Sequence, residues 1–415
     1  MGLREAGVDS RMFVCDKRSD DPSTVELKAS ENWFGLRRIL GKVFFRAFSI
    51  QDYRFQNQCL SAGIDATDLC GRVQFTPDVI IVHYLSNFMS WGDVLELQRA
   101  TNAPVVFNLL DMGSLTGGCH YAWSCDRYES ECGNCPALRF NASNDFSATT
   151  MVRKRSAVAK MELVVVAGST YLEKQARRSA VFGGRQTETI LIGVDPEVYR
   201  QRDRKEARKL LGIPAKNRTI LFGAQSAKDK RKGYEWLIRS LEELATNPGF
   251  KPGAIQVVTI GKVQESRRLR ASGYSQVPLG TVKDESRLVL SYQAADVLAC
   301  PSIQDSGPAM INESLMCGTP VVAFEMGVAR DLIETARTGY VARLEDYRDF
   351  ASGLQSLLEL SEDKAARMSA QCRTIALEKS SMNAQIGRFT KVIGSLSAGR
   401  PGIEEPGSHK ASIGE

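Results

Sequence analysis

The chain has 415 residues, 43% of them hydrophobic, with a formal net charge of +6 and a pI near 8.7. That length implies two or three domains with substantial cores, and the charge is too small for a nucleic-acid binder yet suits an anionic membrane surface or a diphosphate-bearing substrate. Ten scattered cysteines do not make a secreted disulfide scaffold, and no apolar run nears the ~20 residues that cross a bilayer.

The first residues, Met1-Gly-Leu-Arg-Glu-Ala, have neither the apolar stretch of a secretory signal nor a Ser or Thr at position 6 for myristoylation. A reducing cytoplasm is therefore the expected location. Trp33–Phe48 carries apolar and cationic residues at near-helical spacing. Such a basic amphipathic helix either lies in a membrane interface or packs on its domain with the cations in water. Gly35 and Gly41 weaken the helix.

Short β-branched runs then alternate with helical patterns. Strands are expected over Asp78–Tyr84, Pro104–Leu110, Leu163–Ala167 and Glu188–Ile192 in the first half. His83 ends one of them and Asp111 follows another, so both are candidates for a cleft on this side. A lone histidine is more often structural, which is the competing reading of His83. The loop 116–136 places Cys119, Cys125, Cys132 and Cys135 within seventeen residues, with His120 among them. Four thiolates suit a tetrahedral structural zinc, with His120 as a substitute ligand. Reduced cysteines or a redox pair are the alternatives.

The punctuation Gly193, Asp195-Pro196 marks a boundary near 191–199. Strands follow over Thr219–Phe222, Ile255–Ile260, Gln276–Leu279, Asp296–Cys300, Pro320–Phe324 and Tyr340–Ala342. Ten short buried strands alternating with helices predict two doubly wound α/β domains with parallel sheets. After the first strand of the second half comes Gly223, then Arg231 and Lys232, a glycine and two cations able to meet a diphosphate. Gly280 follows another strand. Asp305-Ser-Gly-Pro-Ala-Met-Ile-Asn-Glu313 then brackets a loop running into a helix with two acids. Pro308 suits the first helical turn and Asp305 or Ser306 its cap, and the helix start can hold a phosphate.

The acid-bracketed segment resembles the donor motif of family 4 glycosyltransferases, retaining enzymes of the GT-B fold, in which two Rossmann-like domains face a cleft. The family pattern is Glu, seven residues, Glu; here the first acid is Asp305. The resemblance implies that Glu313 holds the ribose of a nucleotide-diphosphate sugar and that Asp305 binds sugar hydroxyls. Ser306, Gly307 and Pro308 would lie beside it, Arg231 and Lys232 on the diphosphate, with Gly223 near it and Gly280 near the base. It implies no metal or other cofactor for catalysis. The implied division is an acceptor-side domain over 1–190, a donor domain over 191–380, a helix over 381–396 crossing back to the first, and a disordered tail over 397–415.

Three departures stand out. Ala224 occupies the place of a usual arginine, Leu110 that of a usual histidine, and the strand and glycine-rich loop that open such enzymes are missing from the start. The cysteine-rich loop is similar to one in the colanic acid and exopolysaccharide subgroup. That likeness implies a glycan or lipid-linked acceptor, with peripheral contact on the inner face of the plasma membrane. His83, Asp111 and His120 are the acceptor-side candidates. The rival expectations are a non-catalytic subunit of a polysaccharide synthase and a nucleotide-sugar epimerase of the same fold.

Overall fold

The computed structural model describes residues 2–26, 33–56, 75–86 and 88–398. A short helix, Gly2–Glu5, precedes strands β1 (Met12–Val14) and β2 (Thr24–Glu26), which pair in parallel only with each other. Neither was read from the sequence; β1 is Met-Phe-Val and β2 Thr-Val-Glu, and three residues are too few to show a period. Helix Trp33–Phe48 follows.

The first lobe is built on β3 (Ile80–Val82), β4 (Val105–Leu109), β5 (Leu163–Ala167) and β6 (Thr187–Thr189), all parallel in that order. Every residue of β4 and β5 is buried, as expected of parallel strands covered on both faces. Among the described residues no strand joins the free edge of β3 to the β1–β2 pair.

The second lobe holds β7 (Arg218–Ser226), β8 (Ile255–Lys262), β9 (Ser275–Gly280), β10 (Val297–Cys300), β11 (Val321–Phe324) and β12 (Gly339–Ala342). They run parallel in the order β12-β11-β10-β7-β8-β9. The chain winds outward from β7 in one direction, then returns and winds outward from β10 in the other. The topological switch point therefore lies between β7 and β10, where ligands bind beyond the strand ends in such sheets. All ten strands expected from the sequence are present.

Asp296, at the foot of β10, ties the linker helix Arg204–Leu211 to this lobe. Its carboxylate accepts from Arg204 at 3.0 Å, Arg208 at 2.6 Å, Arg218 at 3.2 Å and the Thr219 amide at 2.6 Å. Four donors on one buried carboxylate meet the need of a charge out of water.

The chain passes between lobes at Val194 and returns at Ser381, and the two passages lie side by side. The Val194 amide donates to the Ser380 carbonyl and the Met382 amide to the Val194 carbonyl, both at 2.9 Å. Helix Met382–Ser397 then lays Phe389 against Val106, Val166 and Ile190 of the first lobe. The expected tail falls almost wholly outside the described residues.

Candidate functional site

The loop after β7 is shaped by glycine. Residues Lys230–Lys232 form one 3-10 turn, with Asp229 accepting from the Arg231 amide, and Gly233 ends it in the left-handed region at φ +70°. A Cβ on Gly233 would stand 1.7 Å from the Pro301 carbonyl oxygen. The loop after β7 is thus pressed onto the loop after β10, and only glycine allows it.

That contact places the expected residues together. Lys232 Nζ lies 2.6 Å from Asp305 Oδ2, across the switch point. Burial pulls the Lys232 ammonium down, but the charge and hydrogen bond of Asp305 outweigh it and hold its pKa above the ordinary value. Asp305 also accepts from the Gly307 amide at 3.3 Å, closing a tight turn before the helix.

Arg231 is buried. It donates to Asp229 at 2.6 Å and stacks on Tyr121 of the first lobe, 3.7 Å from the ring centroid. A guanidinium on a phenol face is a cation–π contact. Tyr121 belongs to the cysteine-rich loop, so that loop reaches the second lobe's basic turn.

Helix Ala309–Met316 begins one residue later than read. Pro308 is the residue before it, with extended backbone at ψ 107°, and no side chain caps it. Asp305 and Ser306 therefore do not cap this helix, because Pro308 holds the chain extended between them and it. Ser306 and Gly307 stay in the turn. The Ser306 carbonyl accepts from Ser169 Oγ at 2.6 Å, and Ser169 also caps helix Thr170–Arg178 of the first lobe.

Glu313, on the second turn of that helix, accepts from the Tyr292 hydroxyl. Burial lifts its carboxyl above the ordinary range; the Tyr292 bond partly offsets this, and the charge of Glu285 adds to it. A raised carboxyl pKa means that the folded chain favours the protonated acid. The associated stability is complete below the ordinary glutamate range and is lost as pH rises through the raised value. Glu313→Gln is therefore expected to melt about 2 °C or more above the parent at pH 8, the gap closing as pH falls below 4.5. Melting curves of parent and variant from pH 4 to 8 check this.

Other candidates stand at strand ends or apart. Gly223 lies in β7, where Met310 covers it. Gly280 ends the edge strand β9 at φ +67°, with open space about it. His83 follows β3 with Nδ1 2.9 Å from Asn108 Nδ2, and desolvation holds its pKa below the usual histidine value.

Asp111 and His120, named separately from the sequence, form a pair. His120 Nδ1 stands 2.7 Å from Asp111 Oδ2, and the Gly113 amide donates to Asp111 Oδ1 at 2.7 Å. Burial pushes the Asp111 carboxyl up, but the His120 bond and charge bring it below the usual value. The other ring nitrogen, Nε2, is buried and has no hydrogen-bond partner among the described residues.

Cys119, Cys125, Cys132 and Cys135 line one cavity with Phe55 and Tyr128. Burial pushes the Cys132 thiol up to about 11 and Cys119 higher still. Among the described residues no three Cys, His, Asp or Glu side chains form a group able to hold a metal ion. His120 meets Asp111 through Nδ1 alone. The expected zinc set thus shares a cavity without converging on one point.

Sequence reasoning missed Asp229, Tyr121, Tyr292 and Ser169. Each acts through a partner distant in the chain, except Asp229, whose signal was an acid two residues before Arg231 in a turn.

Two parallel α/β lobes, joined twice at one side and meeting through loops at the carboxyl ends of their strands, make the GT-B architecture. Sucrose-phosphate synthase from Thermosynechococcus elongatus has this fold, with a TM-score of 0.65 at 19% identity over 96% of this chain and 92% of that one. Anabaena HepE in complex with UDP gives 0.58 at 17% identity over 79% and 82%. Residues 217–360 match the family model for "Glycosyl transferases group 1". A D-inositol 3-phosphate glycosyltransferase of Catenulispora acidiphila is 29% identical over 182 residues, 41% of this chain and 42% of its own length. One from Saccharomonospora viridis is 30% identical over 180 residues, 40% of each. The matches thus span under half the length of these curated relatives.

Proposed function

We propose that this chain is a glycosyltransferase that moves a hexose from a nucleotide-diphosphate donor to a glycan or lipid-linked acceptor, retaining the anomeric configuration, in cell-surface polysaccharide synthesis. The observation that carries the reading is the Lys232–Asp305 pair at the switch point of the second lobe. A parallel sheet offers its ligand site there, and the pair sets a cation beside a sugar-binding acid. The matched stretch 217–360 contains Arg231, Lys232, Asp305 and Glu313. A structural neighbour of the same fold was solved with UDP-glucose.

In this reading Lys232 turns from Asp305 to the donor diphosphate and offsets the charge that grows as the sugar–phosphate bond breaks. Asp305 is released to accept from the sugar hydroxyls. Glu313 accepts from the ribose hydroxyls once ionised. The Asp111–His120 pair presents the unpartnered Nε2 to a substrate hydroxyl from the first lobe.

Thermal-shift screening with UDP-, GDP- and ADP-sugars, followed by mass analysis of products with candidate acceptors, tests this. One nucleotide sugar should raise the melting temperature, and an acceptor should gain one sugar. No shift with any donor overturns the reading. Binding without transfer would favour the non-catalytic subunit, and a changed sugar released without acceptor the epimerase.

A further inference from the structure

Helix Trp33–Phe48 leaves its apolar stripe uncovered. Leu36, Ile39, Leu40, Val43 and Phe44 are 45% to 61% exposed. Their spacing of three and four residues places them on one face. The helix is rooted at the opposite face and at its end. Phe45, about half a turn round from the stripe, is buried against Phe55 and Phe146. Ser49 and Ile50 then bridge to Leu138 and Ala137. Beyond the stripe the apolar surface continues through Phe48 to Phe140, whose rings lie 5.6 Å apart and of which Phe140 is 75% exposed.

The same helix has Arg37, Arg38, Lys42 and Arg46 and no acid. An apolar face on a cationic helix is the composition that enters the headgroup boundary of an anionic bilayer. Sixteen residues span about 24 Å, short of the ~30 Å hydrocarbon core, and no helix among the described residues is long and apolar enough to cross a membrane.

We infer that this helix, with Phe140 beside it, is a docking surface for an anionic lipid bilayer, lying in the interface with Leu36, Ile39, Leu40, Val43 and Phe44 inserted. It stands on exposure and charge in the first lobe and is independent of the donor reading.

Flotation of the full chain with vesicles tests it, using phosphatidylcholine alone and a mixture with about a third phosphatidylglycerol. The chain should float with the anionic vesicles, and binding should fall at least ~10-fold in high salt or in Leu40→Glu/Val43→Glu. Arg37→Gln/Arg38→Gln/Lys42→Gln should weaken anionic binding while leaving the apolar face intact. Neither variant changes a residue of the nucleotide loops, so nucleotide-induced melting shifts should persist in both. No flotation with anionic vesicles overturns the inference, as does a Leu40→Glu/Val43→Glu variant that binds like the parent. A parent that elutes as a dimer, with that variant a monomer, also overturns it and assigns the face to self-association.

Discussion

Lys232→Ala should lower the turnover of sugar transfer at least tenfold, which is about 1.4 kcal/mol of transition-state stabilisation. The ammonium is the cation set beside Asp305 at the strand ends, and its charge matters most when the leaving diphosphate carries the most charge. The substitution also strands Asp305, a buried carboxylate that keeps only the Gly307 amide at 3.3 Å as a side-chain partner. A stability loss of about 1–3 kcal/mol should accompany the loss of activity. Asp305→Asn in the same chain separates the two effects. The double variant regains stability because the uncompensated charge is gone, yet stays inactive because the cation is still missing. Steady-state rates and melting temperatures of the two variants measure this, and near-parental turnover in purified Lys232→Ala removes Lys232 from the chemistry.

Gly233→Ala should be the more damaging change to the fold. Its backbone lies at φ +70°, which costs a side chain about 1 kcal/mol or more, and the new Cβ would meet the Pro301 carbonyl at 1.7 Å. Backbone cannot yield as a side-chain tip can. The loops after β7 and β10 must separate, and Lys232 and Asp305 separate with them. The expected result is a melting temperature lower by several degrees with nucleotide binding lost, read by calorimetry with and without UDP. Gly253→Ala, where nothing stands within 4 Å, is the control and should change little.

Much of the fold was legible because buried parallel strands write themselves as β-branched runs. Val105–Leu109 and Leu163–Ala167 could hardly be anything else. The β1–β2 pair was not, since three partly exposed residues have no periodicity to read. The site was legible in its members but not in its pairings. Lys232 and Asp305 were both named, but their salt bridge joins positions 73 apart in the chain, a distance no local pattern crosses. Asp111 and His120 were likewise named singly, and a folded loop was needed to make them one unit. The four cysteines, close in sequence, are also gathered by the fold around one cavity.

The paired passages at Val194 and Ser381 shape how the two halves can travel. Two neighbouring backbone threads, laced by a reciprocal pair of amide bonds, resist twisting far more than folding along their own line. The lobes are therefore expected to swing like a book on its spine. On the open side the pages touch through Ser169–Ser306 and Thr170–Asp331, with Arg54–Asp229 and Lys230–Asp52 at the surface. Lys230–Asp52 is an exposed ion pair of the kind that contributes only about 0–1 kcal/mol, whereas the half-buried Asp229 also holds Arg231. Opening breaks these contacts and the stacking of Arg231 on Tyr121, while the apolar core of each lobe stays whole.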